Sequence, residues 1–369
     1  MKILHILNEL RPSGAEIMLT AASTHFHAHG IDASVVATGA STGPFADTLA
    51  HHGYRILHVP TGSGLAGLHA LYRTLQDLRP EVVHVHAERL SYWVCLVALA
   101  AGCRVVRTFH AVFRFDGLLR LRRRWQRQHL ESLGVASVAI SPSVQHNEQQ
   151  RFGISPTVID NWIDLQRFPP VTPTLRAQAR HALGCEAEAF VLLTVGNCST
   201  IKNHAVVLEA MARIGRRIRL QYLHVGLEEP DAPEQRLATA LGIRDQVVFV
   251  GKTSRVIDYL HACDLFVMPS LHEGFGLAAA EALAAGAHCL FTDVEGLRDF
   301  RRDFPGIRYC APTSESIAHS VEQIHRSIRY GDTPAPATAH LEQARQVFHP
   351  RRGVDAYLDL YRGGPCKHT

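Results

Sequence analysis

Residues 270–286 read SLHEGFGLAAAEALAAG, and they follow the apolar run LFVMP at 265–269. The apolar run has the composition of a buried strand, and the alanine and leucine residues from Leu277 onward favour a helix. Between the two lies a short turn with Gly274 and Gly276, where the backbone can approach a ligand closely. A helix that begins at such a turn presents free N–H groups and a positive dipole end to an anion. The stretch therefore predicts an anion-binding strand–turn–helix unit.

Two carboxylates flank this turn. Glu273 comes just before the predicted helix, and Glu281 lies a little over one turn inside it. Carboxylates accept hydrogen bonds, so beside a diphosphate-binding helix end they suit the hydroxyls of a sugar and of a ribose. For a single glutamate the usual interpretation is a helix cap or a solvated face. The alanine residues on both sides of Glu281 favour the binding interpretation.

The pattern of these residues resembles a family signature. Two glutamates are separated by seven residues, with Pro-Ser before the first and ALAAG after the second. This pattern is similar to the signature of the retaining GT-B glycosyltransferases of family 4. The resemblance implies that Glu273 and the following backbone amides hold the donor sugar, and that Glu281 holds the nucleotide ribose. The amides are those of Gly274, Phe275, Gly276 and Leu277.

Length and composition indicate a two-domain globular protein. The chain has 369 residues, of which 46% are apolar and 20% charged. No apolar run approaches the length of a membrane-spanning helix, and the N-terminus lacks the shape of a signal peptide. The eight cysteines form no CxxC pair, which favours buried thiols over disulfides or zinc sites. We expect a cytoplasmic protein.

Apolar strand runs alternate with helical patterns through both halves, which predicts two doubly wound α/β domains with parallel sheets. We identify six strands before the proline-rich segment 169–173 and five after it. The expected domains span 1–168 and 169–349, and the resemblance implies that the first binds the acceptor and the second the donor. The resemblance implies Rossmann-like domains that face each other across a cleft. It also implies that a C-terminal helix within 350–369 crosses back to the first domain.

A second anion-binding loop is predicted at 196–204, after the first strand of the second domain. The family carries an Arg and then a Lys here, and both bind the nucleotide diphosphate. Gly196 and Lys202 match, but Asn197 stands where the Arg is expected. Loss of a charge-assisted hydrogen bond costs about 1.5–3 kcal/mol, or one to two decades in affinity. Arg255 or Arg298 could supply the missing charge.

The first domain departs from the family at two further positions. The loop after its first strand is Gly-Gly-rich in the family, where it approaches the donor phosphates and the acceptor. Here Ser13 replaces the first Gly and only Gly14 is carried over. Trp162 replaces a Gly in the segment that closes the first domain, so we expect an altered turn or cleft wall there.

Histidines are the remaining candidates in the first domain. His110 ends an apolar strand, where the family keeps a His close to the reacting sugar. His84 and His86 alternate along a strand and share one face. They could bind a metal, but with no third ligand in sight we favour packing or acceptor contacts.

Residues 113–127 form the one basic concentration. Leu118, Leu121 and Trp125 fall on one helical face, and Arg120, Arg123, Arg124 and Arg127 surround it. One interpretation is peripheral contact with the inner face of an anionic membrane through 120–127. The other is a helix packed on the domain with a solvated arginine face. A nucleic-acid partner is not expected, because no binding module accompanies the patch.

The resemblance implies a retaining transferase that moves a sugar from a nucleotide diphosphate sugar, with UDP or GDP, to an acceptor hydroxyl. His110, Lys202 and Glu273 are the expected catalytic residues. No cofactor or metal is expected, since no Asp-x-Asp motif is present. The acceptor is a small molecule, a glycan or a lipid-linked group, and the setting is bacterial polysaccharide or glycolipid biosynthesis. The alternatives are a nucleotide-sugar epimerase of the same fold and a nucleotide-sugar-binding protein that has lost catalysis.

Overall fold

The computed structural model describes residues 1–331 and 336–363, with the side chains of 336–339 left out. The chain divides into two compact units. The first runs from Met1 to Asp164 and includes the C-terminal segment that starts at His349, and the second runs from Leu165 to Phe348. From the sequence, the first boundary was expected slightly later, after Phe168.

The first unit contains a seven-stranded parallel sheet in the order β3-β2-β1-β4-β5-β6-β7. Its strands are β1 (Lys2–Leu7), β2 (Asp32–Ala37), β3 (Arg55–His58), β4 (Val82–Val85), β5 (Arg104–Phe109), β6 (Ala136–Ala139) and β7 (Thr157–Val158). Its helices are α1 (Gly14–Ala28), α2 (Ala46–His51), α3 (Leu65–Leu78), α4 (Ser91–Ala100), α5 (Gly117–Ser132), α6 (Pro142–Asn147) and, at the C-terminal end, α14 (Pro350–Arg362).

The second unit contains a six-stranded parallel sheet in the order β10-β9-β8-β11-β12-β13. Its strands are β8 (Phe190–Val195), β9 (Leu220–Val225), β10 (Val247–Gly251), β11 (Leu265–Met268), β12 (Cys289–Thr292) and β13 (Arg308–Cys310). Its helices are α7 (Pro173–Ala182), α8 (Ala205–Ile214), α9 (Pro233–Ala240), α10 (Val256–Ala262), α11 (Leu277–Ala285), α12 (Ser314–Tyr330) and α13 (Pro336–Val347).

The strand order determines where ligands can bind. In the first sheet the order of the strands reverses between β1 and β4, and in the second between β8 and β11. Loops that leave the carboxyl ends of two such neighbouring strands separate to opposite faces of the sheet and open a crevice. The crevice of the second sheet lies at the two loops that the sequence predicts to bind anions.

The helix α14 completes the core of the first unit. It packs on α1, and its Val354, Tyr357 and Tyr361 are buried with the strand residues. The ring of Trp162 lies against Gly353, where a β-carbon would collide with it, and its Nε1 donates to the carbonyl of Met18 at 2.9 Å. Trp162 is therefore a buried anchor for the C-terminal helix.

No helix in the described parts of the chain combines the length and the apolar character needed to cross a bilayer.

Candidate functional site

Two loops meet at the carboxyl edge of the second sheet. One follows β8 and spans 196–204, and the other follows β11 and spans 269–276. The Leu271 amide donates to the carbonyl of Ile201 at 2.8 Å, and the Asn203 side-chain amide donates to the carbonyl of Pro269 at 3.2 Å. These bonds hold the loops side by side, because β8 and β11 are neighbours in the sheet.

An ion pair joins the same loops. The Lys202 ammonium lies 2.6 Å from Glu273 Oε1, and the Ser270 hydroxyl donates to that oxygen at 2.6 Å. The Glu273 side chain is only 11% exposed, and these two contacts fix its carboxylate. The structure thus brings together two residues that the sequence assigned to one site from separate motifs.

The helix α11 begins directly behind this pair. Its first residue is preceded by Gly276, whose φ of 92° lies in the left-handed region that favours glycine. The Glu273 amide donates to the carbonyl of Glu295 at 3.0 Å, and a β-carbon on Gly296 would collide with the Glu273 carbonyl. Contacts with Glu295 and Gly296 therefore hold the turn in place, and the amides of 274–277 lie at the start of the helix.

Phe275 does not contribute its side chain to this edge. The ring is buried against Phe300 and Phe348, at centroid distances of 5.4 and 6.0 Å. Only the backbone of Phe275 can therefore serve a ligand, as the sequence analysis expected of 274–277.

Glu281 is half-buried on α11. Its withdrawal from water raises the pKa of the carboxyl to about 7, although the Arg167 guanidinium acts in the opposite direction. A carboxyl with this pKa is partly protonated at neutral pH and ionises fully when donors approach it.

Asn197 has a local role in the structure. Its Oδ1 accepts a hydrogen bond from the Leu227 amide at 3.0 Å, which ties the loop after β8 to the loop after β9. Close by, a β-carbon on Gly226 would collide with the carbonyl of Gly196. The two arginines considered as substitutes are paired elsewhere, Arg255 with Asp258 at 2.6 Å and Arg298 with Asp293 at 2.7 Å. Lys202 is thus the cation of this loop pair.

In the first unit, Gly14 begins α1 after the extended residue Ser13. The Ser13 hydroxyl donates to one carboxyl oxygen of the buried Glu16, and the Arg11 amide donates to the other at 3.3 Å. Burial raises the pKa of Glu16, while the hydrogen bond from Ser13 opposes that rise. This loop is therefore organised by a carboxyl that the sequence analysis did not single out.

Histidines fill the switch point of the first sheet. His86 Nδ1 lies 2.9 Å from His110 Nε2, and His86 Nε2 lies 3.1 Å from His5 Nδ1. His84 is held by the hydroxyls of Tyr361 at 2.6 Å and Thr108 at 2.7 Å.

His5 is the third imidazole that the sequence analysis did not find. It pairs with His84 across β1 and β4, and one nitrogen each from His5, His84 and His86 lie within 4.8 Å of one another. Burial lowers the pKa of His5 to about 3 and of His110 to about 4, and it holds those of His84 and His86 well below the usual range. The rings are therefore neutral. A polar residue in the middle of the apolar run ILHIL was the available signal, because such a side chain needs a buried partner.

Residues 12–167 match the family described as Glycosyltransferase Family 4, and residues 176–331 match Glycosyl transferases group 1. The chain belongs to the family 4 glycosyltransferases. The resemblance drawn from the Glu-seven-Glu stretch is therefore confirmed.

Relatives of this family 4 glycosyltransferase include the D-inositol 3-phosphate glycosyltransferase of Mycobacterium ulcerans. The two are 37% identical over 226 residues, which cover 60% of this chain and 47% of that protein. The putative glycosyltransferase EpsF of Bacillus subtilis is 24% identical over 308 residues, 79% of each chain. The chain spans only about a third to a half of the length of the D-inositol 3-phosphate glycosyltransferases that it matches.

Solved structures share the fold. A glycosyltransferase from Rickettsia africae has a TM-score of 0.85 at 16% identity, covering 98% of each chain. Anabaena HepE in complex with UDP-glucose has a TM-score of 0.82 at 19% identity, covering 98% of this chain and all of that one. The predicted fold class, two Rossmann-like α/β domains of the GT-B type, is confirmed.

The basic helix α5 of this glycosyltransferase differs from one prediction. Leu118, Leu121 and Trp125 are 84%, 61% and 56% exposed. Arg127 is buried instead and pairs with the buried Glu148 at 2.6 Å. The helix is thus packed on the domain through Gln126, Arg127 and Leu130, while Leu118, Leu121 and Trp125 point outward. Arg122 and Arg124 are the exposed cations beside the apolar residues.

Proposed function

We propose that this chain transfers a sugar, with retention of configuration, from a nucleotide diphosphate sugar to an acceptor hydroxyl. The observation that carries the proposal is the Lys202–Glu273 pair in front of the α11 N-terminus, at the switch point of the second sheet. A cation, a fixed carboxylate and a helix N-terminus at one edge match the diphosphate and hydroxyls of such a donor.

Each residue has a distinct part in donor binding. The Lys202 ammonium turns from the carboxylate toward the diphosphate, and the amides of 274–277 with the α11 dipole add donors to it. Glu273, released from the ion pair, accepts hydrogen bonds from the sugar hydroxyls. Glu281 accepts from the ribose hydroxyls. Anabaena HepE, solved with UDP and with UDP-glucose, supports a UDP-sugar as the donor.

The chemical step needs no protein nucleophile. The acceptor oxygen attacks the anomeric carbon from the face that the diphosphate leaves, so configuration is retained. The bond between that carbon and the phosphate oxygen breaks as the new C–O bond forms. The acceptor proton passes to the departing phosphate oxygen. Lys202 and the α11 N-terminus stabilise the charge that develops on the diphosphate, and we infer a metal-independent reaction from the positive charge that these groups supply.

We place the reaction in bacterial polysaccharide or glycolipid assembly at the inner face of the membrane. The solved structure of WaaG, a glycosyltransferase involved in lipopolysaccharide biosynthesis, supports this setting. The outward apolar residues of α5 and the exposed Arg122 and Arg124 suit a peripheral contact with anionic lipid and, with it, a lipid-linked acceptor.

A panel of UDP, GDP and ADP with their common sugar conjugates tests donor binding by thermal shift and calorimetry. A ligand at a hundredfold excess over its dissociation constant stabilises the protein by about 2.7 kcal/mol. We expect one nucleotide class to bind and Lys202→Ala to weaken it by about one to two decades. Lys2→Ala, a lysine on the first unit, is the matched control. Binding by none of the panel would contradict the proposal.

Turnover separates the transferase from its alternatives. The transferase releases nucleoside diphosphate only when an acceptor hydroxyl is present, and Glu273→Gln abolishes the release. An epimerase converts the donor without any acceptor. A protein that has lost catalysis binds the donor tightly and releases nothing with any acceptor tried. The assay therefore uses donor alone, donor with lipid extract and donor with glycan acceptors.

A further inference from the structure

Three buried imidazoles meet on one face of the first sheet. His84 lies on β4, and the His86 amide donates to the carbonyl of Ile6 on β1 at 2.9 Å, so the strand pairing continues past the end of β4. Side chains two residues apart in a strand point to the same face. His5 on β1 is the register partner of His84. The order of the strands thus gathers three potential metal ligands, and one nitrogen of each lies within 4.8 Å of the others.

Two of the three rings already have the spacing of ligands on one ion. Zinc binds imidazole nitrogen at about 2.0–2.1 Å in tetrahedral geometry, so two nitrogens on the same ion are roughly 3.3 Å apart. His5 Nδ1 lies 3.1 Å from His86 Nε2. An ion can therefore take the place of the hydrogen bond between these two rings after a small rotation of each.

His84 and His86 have partners for the nitrogens that an ion would not use. The His84 ring is held by the hydroxyls of Tyr361 at 2.6 Å and Thr108 at 2.7 Å, so binding through one nitrogen exchanges one of these contacts and keeps the other. When His86 Nε2 binds the ion, the proton of that ring is on Nδ1, which lies 2.9 Å from His110 Nε2. Such outer hydrogen bonds are typical of metal-binding histidines, because they fix the orientation of the ring.

The protein alone does not satisfy this cluster. His5 is fully buried, and its Nε2 has no hydrogen-bond partner among the described residues. The neighbouring rings are those of Phe26 and Tyr54, and the Tyr54 hydroxyl already donates to the carbonyl of Leu19. Burying a polar ring without its full set of partners costs free energy, and a bond from the same ring to a metal would offset that cost. The three rings are neutral, which is the form of imidazole that binds metals.

We propose that His5, His84 and His86 form a binding site for a divalent metal ion of the class that prefers imidazole, with Zn²⁺ as its representative. Imidazole suits zinc, copper and nickel, whereas Mg²⁺ and Ca²⁺ prefer oxygen ligands. Three protein ligands leave a fourth position on zinc for a water molecule. The ion ties β1 to β4 within the core of the first unit. It takes no part in the proposed sugar transfer, so the two proposals stand or fall separately.

Calorimetric titration with Zn²⁺ tests the site in protein that carries no histidine tag and has been treated with a chelator. We expect one tight, saturable ion per chain and no such binding of Mg²⁺. His5→Leu removes one ligand and places an apolar side chain beside Phe26 and Tyr54, and it should weaken zinc binding by at least about tenfold. Circular dichroism without metal shows whether this variant folds.

The matched control replaces two exposed histidines of the same unit, His51 and His52, with asparagine. This variant should bind zinc as the wild type does. Zinc should also raise the melting temperature of the wild type and of the control, but not that of His5→Leu. A wild type without saturable zinc binding would overturn the proposal, and so would binding that is unchanged in a folded His5→Leu variant.

X-ray absorption at the zinc edge reads the ligands in the wild type and does not depend on any variant. We expect three imidazole nitrogens at about 2.0–2.1 Å from the ion. Fewer than three imidazoles, or a sulfur ligand, would place the ion elsewhere and overturn the proposal. Nucleotide binding is measured in chelator-treated protein, so a failure of the donor-binding proposal is distinguishable from a failure of this one.

Discussion

Glu281 is the residue whose ionisation can be predicted most directly. Its pKa in the folded protein, about 7, lies above its ordinary value of 4.5. The folded state therefore holds the proton more tightly than the unfolded state. Ionisation destabilises the fold progressively as pH rises from 4.5 to 7, and the penalty stays constant above that.

We expect Glu281→Gln to stabilise the protein at pH 8 by on the order of 2–3 kcal/mol, and to leave stability nearly unchanged at pH 4.5. Urea unfolding at both pH values measures the difference. The exposed Glu209 on α8 provides the matched control, Glu209→Gln. Equal stabilities of Glu281→Gln and the wild type at pH 8 would contradict the raised pKa of the carboxyl. The same variant should bind nucleotide more weakly, because a neutral amide is a poorer acceptor for ribose hydroxyls.

The helix α5 carries a prediction at the scale of a single element. Its outward residues Leu118, Leu121 and Trp125 would bury apolar area in a membrane surface, and each such side chain contributes up to about 1.5–3 kcal/mol when fully buried. We expect the protein to float with vesicles that contain anionic lipid and to bind less at high salt.

Replacing all three residues with serine should reduce vesicle binding by more than about tenfold. Leu65 on α3 is 86% exposed, so Leu65→Ser is the matched control and should still float. Flotation of the triple variant at the wild-type level would exclude α5 as the contact.

The elements also show what the sequence could and could not predict. The alternation of strand and helix patterns identified eleven of the thirteen strands. The two that it missed, β7 and β13, are edge strands of two and three residues, which are too short to show a period. The helical period of α5 was recognised in the sequence, but a period does not show which face of the helix is buried. The buried partners of Arg127 decide the orientation, because Glu148 and the rings of Phe109 and Phe152 surround its guanidinium.

The candidate site was predictable only in part, for a related reason. Lys202 and Glu273 are distant in sequence, and their contact follows from the order of β8 and β11 in the sheet. The family resemblance assigned both residues to donor binding. Their spacing in the sequence alone does not indicate that they meet. His5 was missed because its partners, His84 on β4 and His86 directly after β4, are not connected to β1 by any local pattern.

At the scale of the molecule, buried neutral histidines make the two units differ in acid stability. Burial lowers the pKa of six histidines to about 4 or less, or far below the usual range. Four of them are in the first unit and two in the second: His5, His84, His86 and His110, and then His204 and His224. Below pH 6.5 the unfolded state takes up protons that the folded state does not, so the free energy of unfolding decreases as the pH is lowered. Each such group contributes up to about 1.4 kcal/mol per pH unit.

We therefore expect the first unit to unfold at a higher pH than the second. All three tryptophans, Trp93, Trp125 and Trp162, lie in the first unit, so tryptophan fluorescence reports on that unit alone. In an acid titration the fluorescence transition should be complete at a pH where part of the helical circular dichroism still remains. Replacing His204 and His224 with asparagine should leave the fluorescence midpoint unchanged. Coincident transitions in the wild type would contradict this difference.

The placement of α14 has a consequence for the order in which the chain becomes folded during synthesis. The first unit needs Tyr357, Tyr361 and Gly353 for its core, yet these residues are translated only after the whole second unit. The second unit is continuous and can fold as soon as it leaves the ribosome. At about 5–20 residues per second, the N-terminal sheet waits roughly 10–40 s for its closing helix. During that time the nascent chain exposes the apolar surface around Trp162, which makes it a natural client for chaperones.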